Sequence, residues 1–406
     1  MKVLVLNSGS SSQKSRLYEI GDSLPNDPPS PIWRGQVEWK TDNSAIMNVR
    51  SLSGGEISQR LEIKSRSEAT ALMLETLLSG KTRVLNPGEL SAVGHRIVNG
   101  GPEFHEAVQL TPAVKEGIQK SARFAPLHNR EELEGIQEIE RKFGAVLQVA
   151  VFDTGFHKTL PEPAIVYAGP YKWYESGIRK MGFHGINHEY CAGRAAQILK
   201  RKLEDLRVVS CHLGNGCSLA AICDGKSVET TMGFTPLDGL VMGTRSGSID
   251  PGILTYLMAA EKISAEKMDD ILNKQSGLLG ISGVSSDMRE IVAAMRSGNL
   301  RAKLAFEVFV HRLKLGIGSM LSALGGADVL IFTAGIGENS PEVRAAACEG
   351  LGYAGIELDE KKNASCRPDA EISANASKVR VWVISAEEDW AIAQSCHKLL
   401  NANPYS

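Results

Sequence analysis

Val3-Leu-Val-Leu-Asn7-Ser-Gly9-Ser10-Ser11-Ser12-Gln13-Lys14 is the stretch that decides how this chain is read. The apolar run Val3 to Leu6 has the length of a buried strand, and small polar residues bound it at once and reverse the chain. Gly9 and the three serines supply backbone N–H groups and hydroxyls without bulk, and Lys14 adds a fixed positive charge. Clustered N–H donors, hydroxyls and a cation suit phosphate oxygens. A Ser-rich hairpin turn with no ligand fits this segment equally well. The choice rests on whether the rest of the chain supplies a nucleotide site, a metal site and a second substrate.

The same pattern recurs. Leu147–Phe152 runs into Asp153-Thr-Gly, Val208–Cys211 into His212-Leu213-Gly214-Asn215-Gly216, and Val329–Phe332 into Thr333-Ala-Gly335-Ile336-Gly337-Glu338-Asn339. Val381–Ile384 runs into Ser385-Ala-Glu-Glu388. Ligands of open α/β sheets bind beyond the carboxyl ends of strands, so five such strand ends are candidates for one composite site. Helical spacing marks Ser67–Leu78 and Ala302–Leu324, the latter stopped by Gly325-Gly326. Pro25 to Pro31 reads as a surface loop. Val3–Lys14 and Val208–Gly225 both run strand, glycine-containing turn, returning strand, a faint repeat that predicts two similar domains facing a cleft.

At 406 residues the chain exceeds one ordinary core, and 43% hydrophobic with 23% charged residues is a globular balance. The net charge of −2 gives no reason to expect nucleic-acid or membrane partners. No apolar run approaches a membrane span or a signal-peptide core, and seven cysteines without a CxxC pair fit reduced thiols in a cytosol. Cys211, His212, Cys217 and Cys223 match no common zinc spacing.

Gly214-Asn-Gly216 and Gly335-Ile-Gly337 each lack the third glycine of a dinucleotide fingerprint. Gly225-Lys226-Ser227 ends like a Walker loop, but Ala220 stands where that motif needs glycine. Arg245 lies in the glycine-dense tract 239–252, where its planar fork can meet a carboxylate or phosphate, or simply pair with Asp250. Arg96 is also flanked by glycines. His184 and His188 are four apart, the spacing of two metal ligands on a helix. Gly185 between them reads as loop, which favours a donor role for His184.

With these residues in place the chain resembles the acetate kinase family of the acetate and sugar kinase/Hsp70/actin superfamily. The matching tracts are NSGSSSQK, GHRIVNGG, APLHNREELEGI, VFDTGFHKTLP, MGFHGINH, HLGNGCSLAAICDGKSV, MGFTPLDGLVMGTRSGSIDPG, SGLLGISGVSSDMREI and FTAGIGENSPEVR. They cover essentially the whole chain. The resemblance implies two duplicated RNase H-like (actin-like ATPase) α/β domains flanking a nucleotide cleft. The first would span 1–152 plus 389–406 and the second 153–388. It further implies a cytoplasmic homodimer that takes ATP, ADP, acetate and acetyl phosphate, with Mg2+ as metal and Mn2+ as its substitute.

By the same resemblance Asp153, His184 and Arg245 are catalytic. Arg96, Val98, Leu127, Phe183 and Pro236 bind the acyl substrate. Asn7 and Glu388 are the metal positions. ATP would be held by Lys14, His212, Leu213, Gly214, Asn215, Gly216, Asp287, Met288, Arg289, Gly335, Ile336, Gly337, Glu338 and Asn339. An ordinary carboxylate is already deprotonated at neutral pH, so Asp153 is assigned to orienting an arginine or the metal shell rather than to a general base. Val98, where a smaller residue would make room, favours acetate over propionate. The alternatives are a propionate or butyrate kinase and, in another class, a non-enzymatic actin- or Hsp70-like ATP-binding protein.

Several positions depart from the family pattern. Gln13 and Ser15 stand for Leu and Phe, Asn99 for His, Arg130 for Pro, and Ile186-Asn187 for Thr-Ser. Lys180-Met181 replaces a basic–aromatic pair, and Ala386-Glu387 replaces a Thr-Asn/Asp pair.

Overall fold

The computed structural model describes residues 1–9, 12–40, 44–63, 65–86, 88–121 and 128–402, the side chains of 128–130 excepted. The chain divides into two compact units, one of residues 1–155 with 387–406 and one of residues 156–386. Each is built on its own twisted sheet.

The first sheet uses β1 (Lys2–Ser8), β2 (Ser12–Glu19), β3 (Trp33–Trp39), β4 (Ser44–Ser51), β5 (Glu56–Glu62), β6 (Leu90–Ile97), β7 (Val108–Gln109) and β8 (Leu147–Phe152), in the order β5-β4-β3-β2-β1-β6-β8-β7. The second uses β9 (Val208–Leu213), β10 (Cys217–Cys223), β11 (Lys226–Thr230), β12 (Val329–Thr333), β13 (Ala370–Glu371) and β14 (Arg380–Val383), in the order β11-β10-β9-β12-β14-β13. The pairing senses coincide. β1 and β9 each run antiparallel to the next strand and parallel to β6 and β12, which run parallel to β8 and β14. Short antiparallel strands, β7 and β13, close the same edge. The faint repeat in the sequence is therefore a duplication of topology over six strands of each sheet, with β4 and β5 added to the first, and all five predicted strands lie in it.

Strand alternation sets the faces of the first sheet. On β2, Gln13, Ser15 and Leu17 are buried while Lys14 is exposed. The buried side meets the 66–78 helix through Ala69, Met73, Leu74 and Leu77. That helix starts where Ser65 accepts from the Glu68 N–H. Burying each of its large apolar side chains contributes about 1.5–3 kcal/mol. Close approach requires Gly35 on β3, where an added Cβ would sit 2.4 Å from the Trp33 ring and 2.7 Å from Met73 Sδ. The C-terminal helix Glu388–Ala402 packs on β1 and β6, and Gly94 admits Ile392 there. In the second unit, Cys191, Ala192, Ala195 and Ala196 of the 185–199 helix are the small residues that lie against its sheet. All seven cysteines are free thiols.

Three departures acquire a physical reason from this packing. The Thr70 hydroxyl donates to Gln13 Oε1 at 2.8 Å, and Gln13 Nε2 reaches Ser15 Oγ at 3.4 Å, so a small polar network replaces two apolar side chains beneath β2. Asn99, fully buried, accepts the Gly101 N–H at 2.8 Å and closes the turn after β6. Removing a buried donor strands its acceptor at a cost of about 1–3 kcal/mol, whereas removing both partners is nearly neutral. Thr70→Val is therefore expected to lower unfolding stability by about 1–3 kcal/mol, and Gln13→Leu added to it is expected to restore most of the loss, both read by urea titration.

Candidate functional site

In the first unit the polar residues collect where β1, β6 and β8 end. Arg96, the penultimate residue of β6, donates from Nη2 to Asp153 Oδ2 at 2.7 Å, and the Asp153 N–H is held by the Ile97 carbonyl at 2.8 Å. The side chains are 13% and 1% exposed, so this is a buried, hydrogen-bonded ion pair. Burial works against the Arg96 charge, but Asp153 and Glu388 outweigh it and hold the guanidinium above its ordinary pKa. Orienting this arginine is the role expected for Asp153.

Asn7, on β1, donates from Nδ2 to Glu388 Oε2 at 3.1 Å and to Asp389 Oδ1 at 2.9 Å. Arg16 pairs with Asp389 at 2.8 Å and with the departing residue Glu387 at 3.3 Å. Asn7 keeps its carbonyl oxygen as an acceptor, so Asn7 and Glu388 together offer hard oxygen donors. Magnesium takes few protein ligands and keeps several waters, and this donor set fits it. Among the described residues no group of three or more His, Cys, Asp or Glu is placed to hold a metal by itself. Lys14 lies exposed on β2, in register with Asn7. Leu127, Ser10 and Ser11 fall outside the described residues.

Sequence reasoning missed Glu132 in this unit. It lies in the 128–143 helix, is 4% exposed, and accepts the Val98 N–H at 3.0 Å. Burial pushes its carboxyl up to about 8, against the pull of the Val98 N–H and Arg96. The tract Glu131-Glu132 carries no signal that separates a buried carboxyl from a solvated helix face. Because the folded-state pKa is raised above the ordinary 4.5, the folded chain binds this proton more tightly. The associated stability is complete below pH 4.5 and is lost as pH rises through about 8. Glu132→Gln is expected to flatten the fall in unfolding midpoint that the native protein shows across that window.

The second unit holds a different constellation. Contrary to the loop expected at Gly185, the helix starts there, and His184 precedes it in a left-handed conformation with φ 58°. His188, one turn in, is fully buried and not placed for a metal: its Nδ1 meets Ser210 Oγ at 2.9 Å and its Nε2 meets Ser218 Oγ at 2.8 Å. Ser218 Oγ is also 2.7 Å from His184 Nδ1. Burial holds His188 well below the ordinary imidazole pKa, so it is neutral. A neutral His188 that donates to Ser218 lets that hydroxyl donate to His184 Nδ1, which leaves the His184 proton on Nε2.

His212, at the end of β9, stacks on His184 with ring centroids 3.9 Å apart and planes 17° from parallel. The chain then turns through Gly214-Asn215-Gly216, closed by the Gly214 N–H to Gly216 carbonyl bond of 3.0 Å. A Cβ placed on Gly216 would lie 3.3 Å from Arg245 Nη1 and 3.5 Å from His184 Nε2. One on Gly214 would lie 3.5 Å from His212 Nε2. The glycines thus leave open a spot where an arginine and two imidazoles converge. Arg245 also donates to the Pro236 carbonyl at 3.3 Å, while Asp250 caps the 251–260 helix instead of pairing with it. Phe183, 1% exposed, takes the His157 Nε2 bond on its carbonyl at 3.0 Å. Lys180, of the other departing pair, binds Glu229 at 2.6 Å.

Beside the turn lies a pocket of about 700 Å³ lined by Gly214, Asn215, Asp287, Met288, Arg289, Gly335, Ile336 and Asn339, all expected at an ATP site. Ser286, Val292, Arg296, Ser340, Pro341 and Glu342 complete its wall and were not anticipated. Asp287 caps its helix and pairs with Arg289 at 2.5 Å, which holds the Asp287 carboxyl below its usual range. Lys14, His212, Leu213, Gly216, Gly337 and Glu338, also expected at the ATP site, do not line the pocket. Leu213 is core, and Glu338 Oε1 accepts the N–H groups of Ala334 and Ala386 at 3.0 and 2.9 Å. That carboxylate secures Ala334 at φ 65°, a left-handed residue that starts the short 334–339 helix.

Residues 2–394 match the acetokinase family. An acetate kinase of Trichormus variabilis is 55% identical over 404 residues, which cover 99% of this chain and 100% of that one. The crystal structure of Porphyromonas gingivalis acetate kinase superimposes with a TM-score of 0.90 at 39% identity, covering 98% of this chain and 99% of that one. A structure described as a propionate kinase from Francisella tularensis gives 0.88 at 37% identity, covering 97% and 98%. The duplicated sheets are thus the paired actin-like domains these structures share, and the chain belongs to the acetokinase family.

Proposed function

We propose that this protein is an acetate kinase that transfers the γ-phosphoryl group of ATP to acetate, reversibly and in line, giving acetyl phosphate and ADP. The observation that carries this reading is the convergence of Arg245 Nη1 and His184 Nε2 on the open side of Gly216. Its chemical problem is charge: two negative groups at 4 Å repel by about 4 kcal/mol at an effective dielectric near 20. Arg96 receives the acetate carboxylate, held in place by Asp153. Arg245 neutralises the transferring phosphoryl group, and His184 donates from Nε2 to its oxygens. A loose phosphoryl transition state calls for such positioning and charge stabilisation more than for covalent help. An anion at His184 Nε2 selects the arrangement in which His188, through Ser218, leaves the proton on that nitrogen.

The 700 Å³ pocket takes the nucleoside, with the Gly214–Gly216 turn at the phosphates. The acetokinase N-terminal domain is the unit of residues 1–155 with 387–406 and the nucleotide-binding domain the unit of 156–386, boundaries a few residues from the expected 1–152 with 389–406 and 153–388. Asn7 and Glu388 hold Mg2+, which shields phosphate charge when bound. Val98, 5% exposed, favours acetate; because one methylene is worth about 1–3 kcal/mol, propionate is a poorer substrate rather than an excluded one. The likeness to a propionate kinase is the reason to compare both acids.

We also propose a homodimer. The 251–260 helix is rich in apolar residues yet buries none of them, leaving Ile253, Tyr256 and Met258 at 46, 69 and 38% exposure. A second copy of the chain is the partner that covers this face.

Hydroxylamine trapping of acyl phosphate tests the activity: acetate-dependent product is expected from the native protein. Arg245→Ala is expected to lower turnover by about 10³-fold with the fold intact by circular dichroism, and near-native turnover would displace the arginine from its role. Tyr256→Asp is expected to shift the mass measured by light scattering from two chains to one.

A further inference from the structure

The Ser218 hydroxyl can leave the His184 proton on Nε2, but the ring of His212, stacked on His184, needs a separate device. Asn187 supplies one. It lies in the first turn of the 185–199 helix, is fully buried, and its Nδ2 is 2.9 Å from His212 Nδ1. Its Oδ1 faces the Cys191 thiol at 3.5 Å, a donor it shares with Thr333 Oγ1 at 3.4 Å. A buried amide is retained only where both ends are used, and here both are. An amide N–H₂ can only donate, so His212 Nδ1 must accept and the neutral ring carries its hydrogen on Nε2. That is the nitrogen nearest Gly214, just as His184 Nε2 is nearest Gly216.

We propose that Asn187 is a positioning residue that holds His212 as its Nε2–H tautomer, so that the stacked pair presents two N–H donors to phosphate oxygens at the Gly214–Gly216 turn. This rests on the turn being the nucleotide phosphate site. It also gives a role to a position where the family pattern has Ser: the amide reaches the ring and excludes the inverted tautomer, in which Nε2 would turn a lone pair toward the phosphates.

The test is a long-range ¹H–¹⁵N spectrum of the full chain labelled at histidine, with His212 assigned by its loss in His212→Gln. Nδ1 is expected to resonate as an unprotonated nitrogen and Nε2 as a protonated one. In Asn187→Leu, which keeps the γ-branching and has no donor, the two His212 nitrogens are expected to move toward averaged shifts. The KM for ATP is expected to rise about tenfold, with kcat and the KM for acetate within threefold of native. A native His212 protonated on Nδ1 overturns the proposal, and so does an unchanged KM for ATP in Asn187→Leu. Should that variant fail to fold, the native spectrum alone decides. Absence of acetate-dependent acyl phosphate in the native protein would remove the kinase reading while leaving the tautomer result standing, so the two failures are distinguishable.

Discussion

Parallel neighbours deliver their carboxyl ends to the same edge of a sheet, and the chemistry of each unit depends on that constraint. In the first unit β1, β6 and β8 end together, and Asn7, Arg96 and Asp153 meet there from residues more than fifty positions apart. In the second, β9, β12 and β14 do the same for His212, Thr333 and the Ser385 segment. The antiparallel return of β10 adds the Gly214–Gly216 turn at the end of β9. Polar side chains from distant positions therefore collect at these strand ends.

Around these edges the electrostatic pattern is one of compensated charge. Arg96 is buried but paired with Asp153, and Glu132 close by is pushed toward its neutral form. A neutral Glu132 leaves that pair unburdened by a second negative charge. In the second unit the charge on His188 is suppressed by burial, and serine hydroxyls on both of its nitrogens fix the ring. Through Ser218 that fixed ring orients the His184 imidazole beside the glycine turn, and Arg245 supplies the fixed positive charge there. Donors already oriented need no reorganisation when charge develops on a transferring group.

Backbone strain falls in the same places. His184 and Ala334 both occupy the left-handed region, one before the 185–199 helix and the other after β12. Each costs energy that a neighbour offsets: Ser218 ties the His184 ring, and Glu338 binds the Ala334 N–H. Glu338 therefore serves the backbone beside the 700 Å³ pocket while its neighbours Gly335, Ile336 and Asn339 line the wall.

The amino-acid sequence by itself determined the five buried strands, the repeated hairpin and the family, because short apolar runs ending in Gly, Asn and Asp are a local signal and the matching tracts span the whole chain. It also marked Arg96, Arg245 and His184, since those residue types in glycine-rich loops carry their chemistry in their composition. Only the tertiary structure decided what depends on contacts between distant positions. Glu132 reads as one acid among many until burial against Val98 raises its pKa. Asn187 and Gln13 read as unexplained departures until His212 and Thr70 are found at hydrogen-bond distance. Gly185, a loop residue by propensity, became helical because His184 absorbs the left-handed turn before it. Local composition records what a residue can do; its protonation state and partners are set by neighbours that folding brings in from far along the chain.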